Sequence, residues 1–320
     1  MYTNIFRNAY KVTKTDEGYL SLRFTEKQLQ HYKTQSVQAE DRALGTAGVC
    51  MDFYTDAKHI TFSYRASHFS RRYVGFDFYE NGIFRKHIEE ALDTKQSTIT
   101  QPLDNQGIKR VTVYIPNLSQ ITIYDLDIGN FKPVHDEYSE KLLFLGDSIT
   151  QGMVALSPSL AYPSQIARAL NAQCLNRGVG AMKFDAGSLD EQDEYEPDRI
   201  FTAYGINDIY HLKSISELSD VLKQADIYFY KLKKIYKQAR VYVITPIWCL
   251  RYNEDIFFKD MFEEYAKKLT ELAVCHECTP INGLDLVPHE TKYFQDHTVH
   301  PADSGFNYYT SNLLKAINDK

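Results

Sequence analysis

The chain has 320 residues, of which 43% are hydrophobic and 24% charged, with a formal net charge of −6. That composition suits a soluble globular protein with a sizeable core and excludes bulk disorder, while the length suits two domains. An acidic balance without a long basic run excludes a nucleic-acid backbone as the expected partner.

No apolar segment is long enough to cross a bilayer. The first residues, Met1-Tyr2-Thr3-Asn4-Ile5-Phe6-Arg7, lack the apolar run of a signal peptide, so a cytoplasmic protein without membrane partners is expected. From Val49 to Phe53, Ile60 to Tyr64, Gly75 to Tyr79, Val111 to Ile115 and Ile121 to Asp125, short segments rich in Val, Ile, Tyr and Phe read as strands. Several alternate, as in Ile60-Thr61-Phe62-Ser63-Tyr64. Turn formers separate them at Glu80-Asn81-Gly82, Asp104-Asn105-Gln106-Gly107 and Pro116-Asn117. Residues 1–135 are therefore expected to form an antiparallel β-sandwich of jelly-roll type, with a short helix near Glu26 to Tyr32. A polar, proline-containing stretch from Lys132 to Tyr138 reads as the linker.

Residues 136–320 change texture. Leu142-Leu143-Phe144-Leu145 is a continuous apolar run, as in a strand buried on both faces. Further strands are expected at Gln173 to Asn176, Arg199 to Ala203, Val241 to Thr245 and Thr279 to Asn282. Helical patterns run from Tyr162 to Leu170, Ile215 to Tyr236, Ile256 to Cys275 and Gly305 to Ile317. The second has N-cap candidates in Ser216-Glu217-Leu218-Ser219-Asp220, and its Lys231-Leu232-Lys233-Lys234 run reads as a solvated face. Alternating strands and helices predict a doubly wound α/β domain, whose ligand lies beyond the carboxyl ends of the strands.

Those strand ends hold the chemistry-bearing motifs. Gly146-Asp147-Ser148 follows the first strand, so the serine stands at a strand-to-helix turn with its own N–H at a helix start. Asn176-Arg177-Gly178-Val179-Gly180-Ala181 follows the second, with glycines suited to a tight loop of free backbone N–H groups. Tyr204-Gly205-Ile206-Asn207-Asp208 follows the third and offers an amide donor to an oxyanion. Asp296-His297-Thr298-Val299-His300-Pro301 precedes the last helix and offers a general base. Each is an ordinary turn when taken alone; their order is the signal.

Five cysteines, an odd number, do not make a disulfide framework. Cys275-His276-Glu277-Cys278 is half a zinc site without a second pair, and His297 with His300 lacks a third ligand. No metal and no cofactor is expected. Trp248, after Thr245-Pro246-Ile247, reads as partial core, with a stacking role in a sugar cleft as the alternative.

The four motifs together resemble the SGNH (GDSL-type) hydrolase superfamily over residues 141–318. By that resemblance the back domain is a flavodoxin-like three-layer α/β hydrolase domain. Ser148 is its nucleophile, His300 its base, and Asp296 the acid that orients His300. The oxyanion donors are the Ser148 N–H, a loop N–H from Ala181 or Gly180, and the Asn207 side chain; Asp147 braces the turn. The family usually has glycine five residues after the loop asparagine and aspartate three before the histidine. Ala181 and His297 stand there instead. Asp296 therefore reaches His300 through a loop bulge, or else a backbone carbonyl orients the imidazole in a Ser–His dyad. Gly75-Phe76-Asp77-Phe78-Tyr79 looks like the Gly-x-Asp-Leu-Tyr signature of β-sandwich domains that precede some bacterial SGNH hydrolases, carbohydrate esterases among their kin. The implied activity is that of a serine esterase on a small-molecule or carbohydrate ester, with acetyl removal from a sugar as the leading expectation. A lipid esterase or thioesterase, and an inactive carbohydrate-binding protein, are the alternatives.

Overall fold

The computed structural model describes residues 2–91, 93–104, 107–134 and 138–318. Among the described residues the front half forms two antiparallel sheets. One runs in the order Phe6–Arg7, Cys50–Thr55, Lys109–Tyr114, Gly75–Glu80, Ile83–Glu89, with Phe131–Pro133 also on Cys50–Thr55. The other runs Lys11–Thr15, Gly18–Leu22, Gln120–Asp127, His59–Ser67, Gln96–Pro102. Side chains alternate across a strand, so Ile60, Phe62, Tyr64 and Ala66 all enter the core. There Phe62 meets Phe76 and Phe78 of the opposite sheet, with ring centroids 5.5 and 6.3 Å apart. The five expected strands form this centre. The strands that sequence patterning missed include edge strands such as Ile83–Glu89, which is largely exposed and so has no apolar period to read.

The expected helix is Glu26–Gln35, and a second, unexpected one follows at Val37–Leu44. Thr25 and Gln28 close a capping box on the first, and Ser36 caps the second by accepting the Ala39 N–H. Their buried faces, Tyr32, Ala39 and Ala43, pack with Phe24 against Val179 of the back domain. The front domain thus reaches the loop that follows the second parallel strand.

The linker expectation needs correction. Phe131–Pro133 is a strand and Val134 is fully buried, while residues 135–137, with the expected boundary at 135/136, lie outside the described residues. Of the expected turn at 104–107, Asn105 and Gln106 also lie outside them.

The back domain is a parallel sheet in the order Ala172–Gly178, Glu140–Gly146, Arg199–Ala203, Arg240–Ile244, Thr279–Ile281. Numbered along the chain this is 2-1-3-4-5, the flavodoxin-like order. Helices Leu218–Ile235 and Ile256–Cys275 cover one face. Tyr162–Ala169 and Asp303–Asn318 cover the other, the three-layer arrangement the motifs predict. Phe144, Phe201 and Tyr242 stack across three neighbouring strands at 4.8 and 5.0 Å on one face, while Leu143 and Leu145 enter the core on the other, which accounts for the double burial of the first strand. The helix near residue 218 starts differently from the expectation. Ser214 is the cap, boxed with Glu217, on a short 3-10 turn. The basic run is not wholly solvated either, because Lys231 Nζ donates to the carbonyls of Ala186 and Leu189.

Trp248 is buried in the second core with its Nε1–H donating to Asn253, so it lines no sugar cleft. Among the described residues no helix is long and apolar enough to cross a membrane.

Candidate active site

Strand Glu140–Gly146 ends against the four-residue helix Ser148–Gln151. Asp147 caps that helix by accepting the Ile149 N–H at 2.9 Å. Two glycines make the close seating possible. A Cβ on Gly146 would stand 2.1 Å from Thr150 Oγ1, and one on Gly178 would stand 2.3 Å from the Gln151 nitrogen. Ser148 therefore sits at the carboxyl end of the first strand, facing the loop from Phe294 to Pro301.

That loop is closed by the Phe294–Pro301 bridge and by the Gln295 N–H donating to the His300 carbonyl. Within it His297 takes a positive φ of 56°, a left-handed kink that absorbs one residue. The kink carries Asp296 beneath His300. Asp296 Oδ1 accepts the N–H groups of Thr298, Val299 and His300 at 2.9, 2.9 and 3.1 Å. Its Oδ2 accepts from His300 Nδ1 at 2.6 Å, and Ser148 Oγ donates to His300 Nε2 at 2.9 Å. The structure thus brings Ser148, His300 and Asp296 into one hydrogen-bonded line. Burial opposes ionisation of Asp296, but the imidazole and the three N–H donors outweigh it and hold the carboxyl well below the usual carboxylate range.

The expected oxyanion donors fare unequally. The Gly180 N–H is already given to Gln151 Oε1 at 2.9 Å, so Gly180 is not a free donor. Ala181 has a positive φ of 64°, and no acceptor among the described residues takes its N–H. Asn207 stands at the start of helix Ile206–Ile209, and its amide donates to Asp147 Oδ2 at 3.2 Å and the Met182 carbonyl at 3.1 Å. An entering oxyanion has to replace one of these two long bonds. Sequence patterning had no means of finding Gln151 or Arg42, the residues that hold Gly180; Arg42 lies 138 positions upstream of it.

Two buried acids stand behind the turn. Burial pushes Asp147 up to about 6, against the Ile149 N–H and the nearby His300. Burial also raises Asp208 to about 7, with the Asp147 carboxylate adding to it, and Asp208 Oδ2 is buried without a partner. A folded value above the unfolded carboxylate value of about 3.9 means the native state keeps a proton that the unfolded chain has lost. The contribution of Asp208 to stability therefore falls as pH rises from about 4 to about 7. Asp208→Asn is expected to match wild type near pH 4 and to exceed it at pH 8 by about 4 kcal/mol, or about 8–16 °C in Tm. Thermal melts at the two pH values check this; equal differences at both would refute it.

The front-domain motif also finds its partners here. Buried Asp77 accepts the Ser159 N–H at 2.8 Å and the Ser157 hydroxyl at 3.2 Å, tying the sandwich to the segment that follows the Ser148 helix. A hollow of about 490 Å³ lies between the sandwich and helix Tyr162–Ala169, lined in part by Asn171 and Ala172. It is at the opposite, amino end of the parallel sheet from Ser148, so it is separate from this chemistry. Among the described residues no three His, Cys, Asp or Glu side chains group to hold a metal; Cys275 is exposed and Cys278 buried.

A model of the GDSL-like lipase/acylhydrolase family matches residues 144–307. No curated protein matches in sequence. Among solved structures the chain is similar to the salicylyl-acyltransferase SsfX3 from a tetracycline biosynthetic pathway. The identity is 15%, the TM-score 0.79, and 98% of this chain and 94% of that one are covered. It is similar to a family two carbohydrate esterase from Clostridium thermocellum, solved with cellohexaose, at 14% identity and TM-score 0.63, covering 85% and 91%. An acetyl xylan esterase from the rumen bacterium Butyrivibrio proteoclasticus follows at 15% identity and TM-score 0.58, covering 86% and 90%. At these identities the likeness is one of fold, and it spans both domains.

Proposed function

The chain belongs to the GDSL-like lipase/acylhydrolase family, and from that premise we propose that it is a serine esterase releasing short acyl groups, foremost acetyl, from a carbohydrate. The observation that carries the esterase reading is the line of bonds from Ser148 through His300 to Asp296, 2.9 and 2.6 Å long. His300 Nε2 takes the proton as Ser148 Oγ adds to the ester carbonyl. The Ser148 N–H, the Ala181 N–H and the Asn207 amide receive the oxyanion. Collapse of the tetrahedral adduct expels the alcohol, protonated by His300, and leaves Ser148 acylated. A water deprotonated by His300 then releases the acid and restores the serine.

Likeness of fold supports a short acyl group on a sugar. Two of the structures of similar fold are described as carbohydrate esterases, one of them acting on acetyl xylan; this part of the reading is analogy of fold. The test is a series of 4-nitrophenyl esters from acetate to palmitate beside acetylated oligosaccharides. Fastest turnover on acetate and acetate release from the sugar are expected. Efficient cleavage of long acyl chains with none on acetylated sugars would replace this reading by a lipid esterase.

A further inference from the structure

We propose that Arg42, contributed by the front domain, is the positioning residue that aims the Ala181 N–H at the oxyanion; the proposal rests on the esterase reading above. Arg42 lies on helix Val37–Leu44 and its Nη1 donates to the Gly180 carbonyl at 2.9 Å. A peptide unit is planar and trans, so its carbonyl and the following N–H point in opposite directions. Holding the Gly180 carbonyl toward Arg42 therefore turns the Ala181 N–H away from Arg42, where no acceptor among the described residues meets it.

The hold is doubled. Gln151 Oε1 accepts the Gly180 N–H at 2.9 Å, and Gln151 Nε2 donates to the Arg42 carbonyl at 3.0 Å, which closes a ring of Arg42, Gly180 and Gln151. Gln151 belongs to the same short helix as Ser148, so nucleophile and donor share one anchor. Arg42 is itself anchored, because fully buried Arg23 donates to the carbonyls of Arg42 and Ala43 at 2.8 and 3.2 Å. Arg23 also donates to those of Asn176 and Gly178, at 2.6 and 3.0 Å. The left-handed φ of 64° at Ala181 is a conformation that alanine disfavours. Without the grip on Gly180 the 180–181 peptide is free to rotate and the donor is lost. The helical pair of the front domain thus acts on the reaction through a single carbonyl.

The experiment compares wild type, Arg42→Ala, Arg42→Lys and Gly180→Ala on 4-nitrophenyl acetate, with inhibition by a boronic acid as a tetrahedral probe. A Cβ at Gly180 would stand 3.2 Å from Arg42 Cδ and 3.0 Å from Met153 Cε, so Gly180→Ala disturbs the same grip if Arg42→Ala does not fold. Arg42→Ala is expected to lower kcat by about 10–100-fold with KM within about twofold, and to weaken the boronate in the same ratio. Arg42→Lys, which keeps one donor, should recover part of that loss. Unchanged kcat in Arg42→Ala, or in Gly180→Ala where the former is unfolded, overturns the proposal. So does a raised KM at unchanged kcat, which would make Arg42 a substrate-binding group. A wild type without Ser148-dependent turnover overturns the esterase reading and this proposal together. Turnover with an indifferent Arg42 overturns the proposal alone.

Discussion

Ser148→Ala is expected to lower kcat for 4-nitrophenyl acetate by about 10⁴–10⁶-fold while leaving the fold intact. The serine hydroxyl gives its hydrogen bond to His300 Nε2 and to no structural carbonyl among the described residues. Its removal should therefore cost the nucleophile and little stability, alanine being a good residue at the first turn of a helix. Any residual rate would come from the oxyanion donors acting on water. A serine-directed fluorophosphonate should label wild type and not the variant. Turnover within about tenfold of wild type would mean that another group carries the acyl chain, and the line from Ser148 to Asp296 would lose its meaning. Equal slow turnover in both would instead favour a binding protein.

How far the chain could be read in advance depended on what each residue buries. Leu142 to Leu145 announced its strand because both faces are covered, leaving an uninterrupted apolar run. The core strands of the sandwich were legible for the related reason that one face is buried, as Ile60, Phe62 and Tyr64 show. Ile83–Glu89 was not, because an edge strand is free of that demand. The Ser148 turn, the Asn207 turn and the His300 loop were legible as motifs because each follows a strand end or precedes the last helix. What those residues bond to was not. Gly180 and Ala181 are neighbours in a glycine-rich loop, and the Gln151 side chain distinguishes the engaged N–H from the one that no acceptor among the described residues takes. Arg42 lies in a helix that patterning passed over, and its role is set by contacts with a loop far along the chain. Trp248, a conspicuous side chain at a strand end, was legible as core, and its surroundings are core.

The acid of the site is where motif spacing and structure pull apart, and Asp296→Asn is the variant that separates them. Spacing puts His297, not an aspartate, three residues before His300. The left-handed kink at His297 removes that discrepancy by folding one residue out of the count. A carboxylate holding the Nδ1 proton fixes the tautomer in which Nε2 can accept from Ser148, and it stabilises the imidazolium formed when that proton moves. Asparagine keeps one oxygen, which can still receive the N–H groups of Thr298, Val299 and His300. The loop should therefore stay in place while the bond at Nδ1 loses its charge and turns from acceptor to donor. A donor facing Nδ1 favours the wrong tautomer, and the expected loss in kcat is about 10⁴-fold. Because the loop bonds survive the exchange, such a loss reports on the imidazole rather than on folding, and an unchanged Tm would confirm that separation. A loss of only a few-fold would assign Asp296 to bracing the loop and leave Ser148 and His300 to work as a dyad.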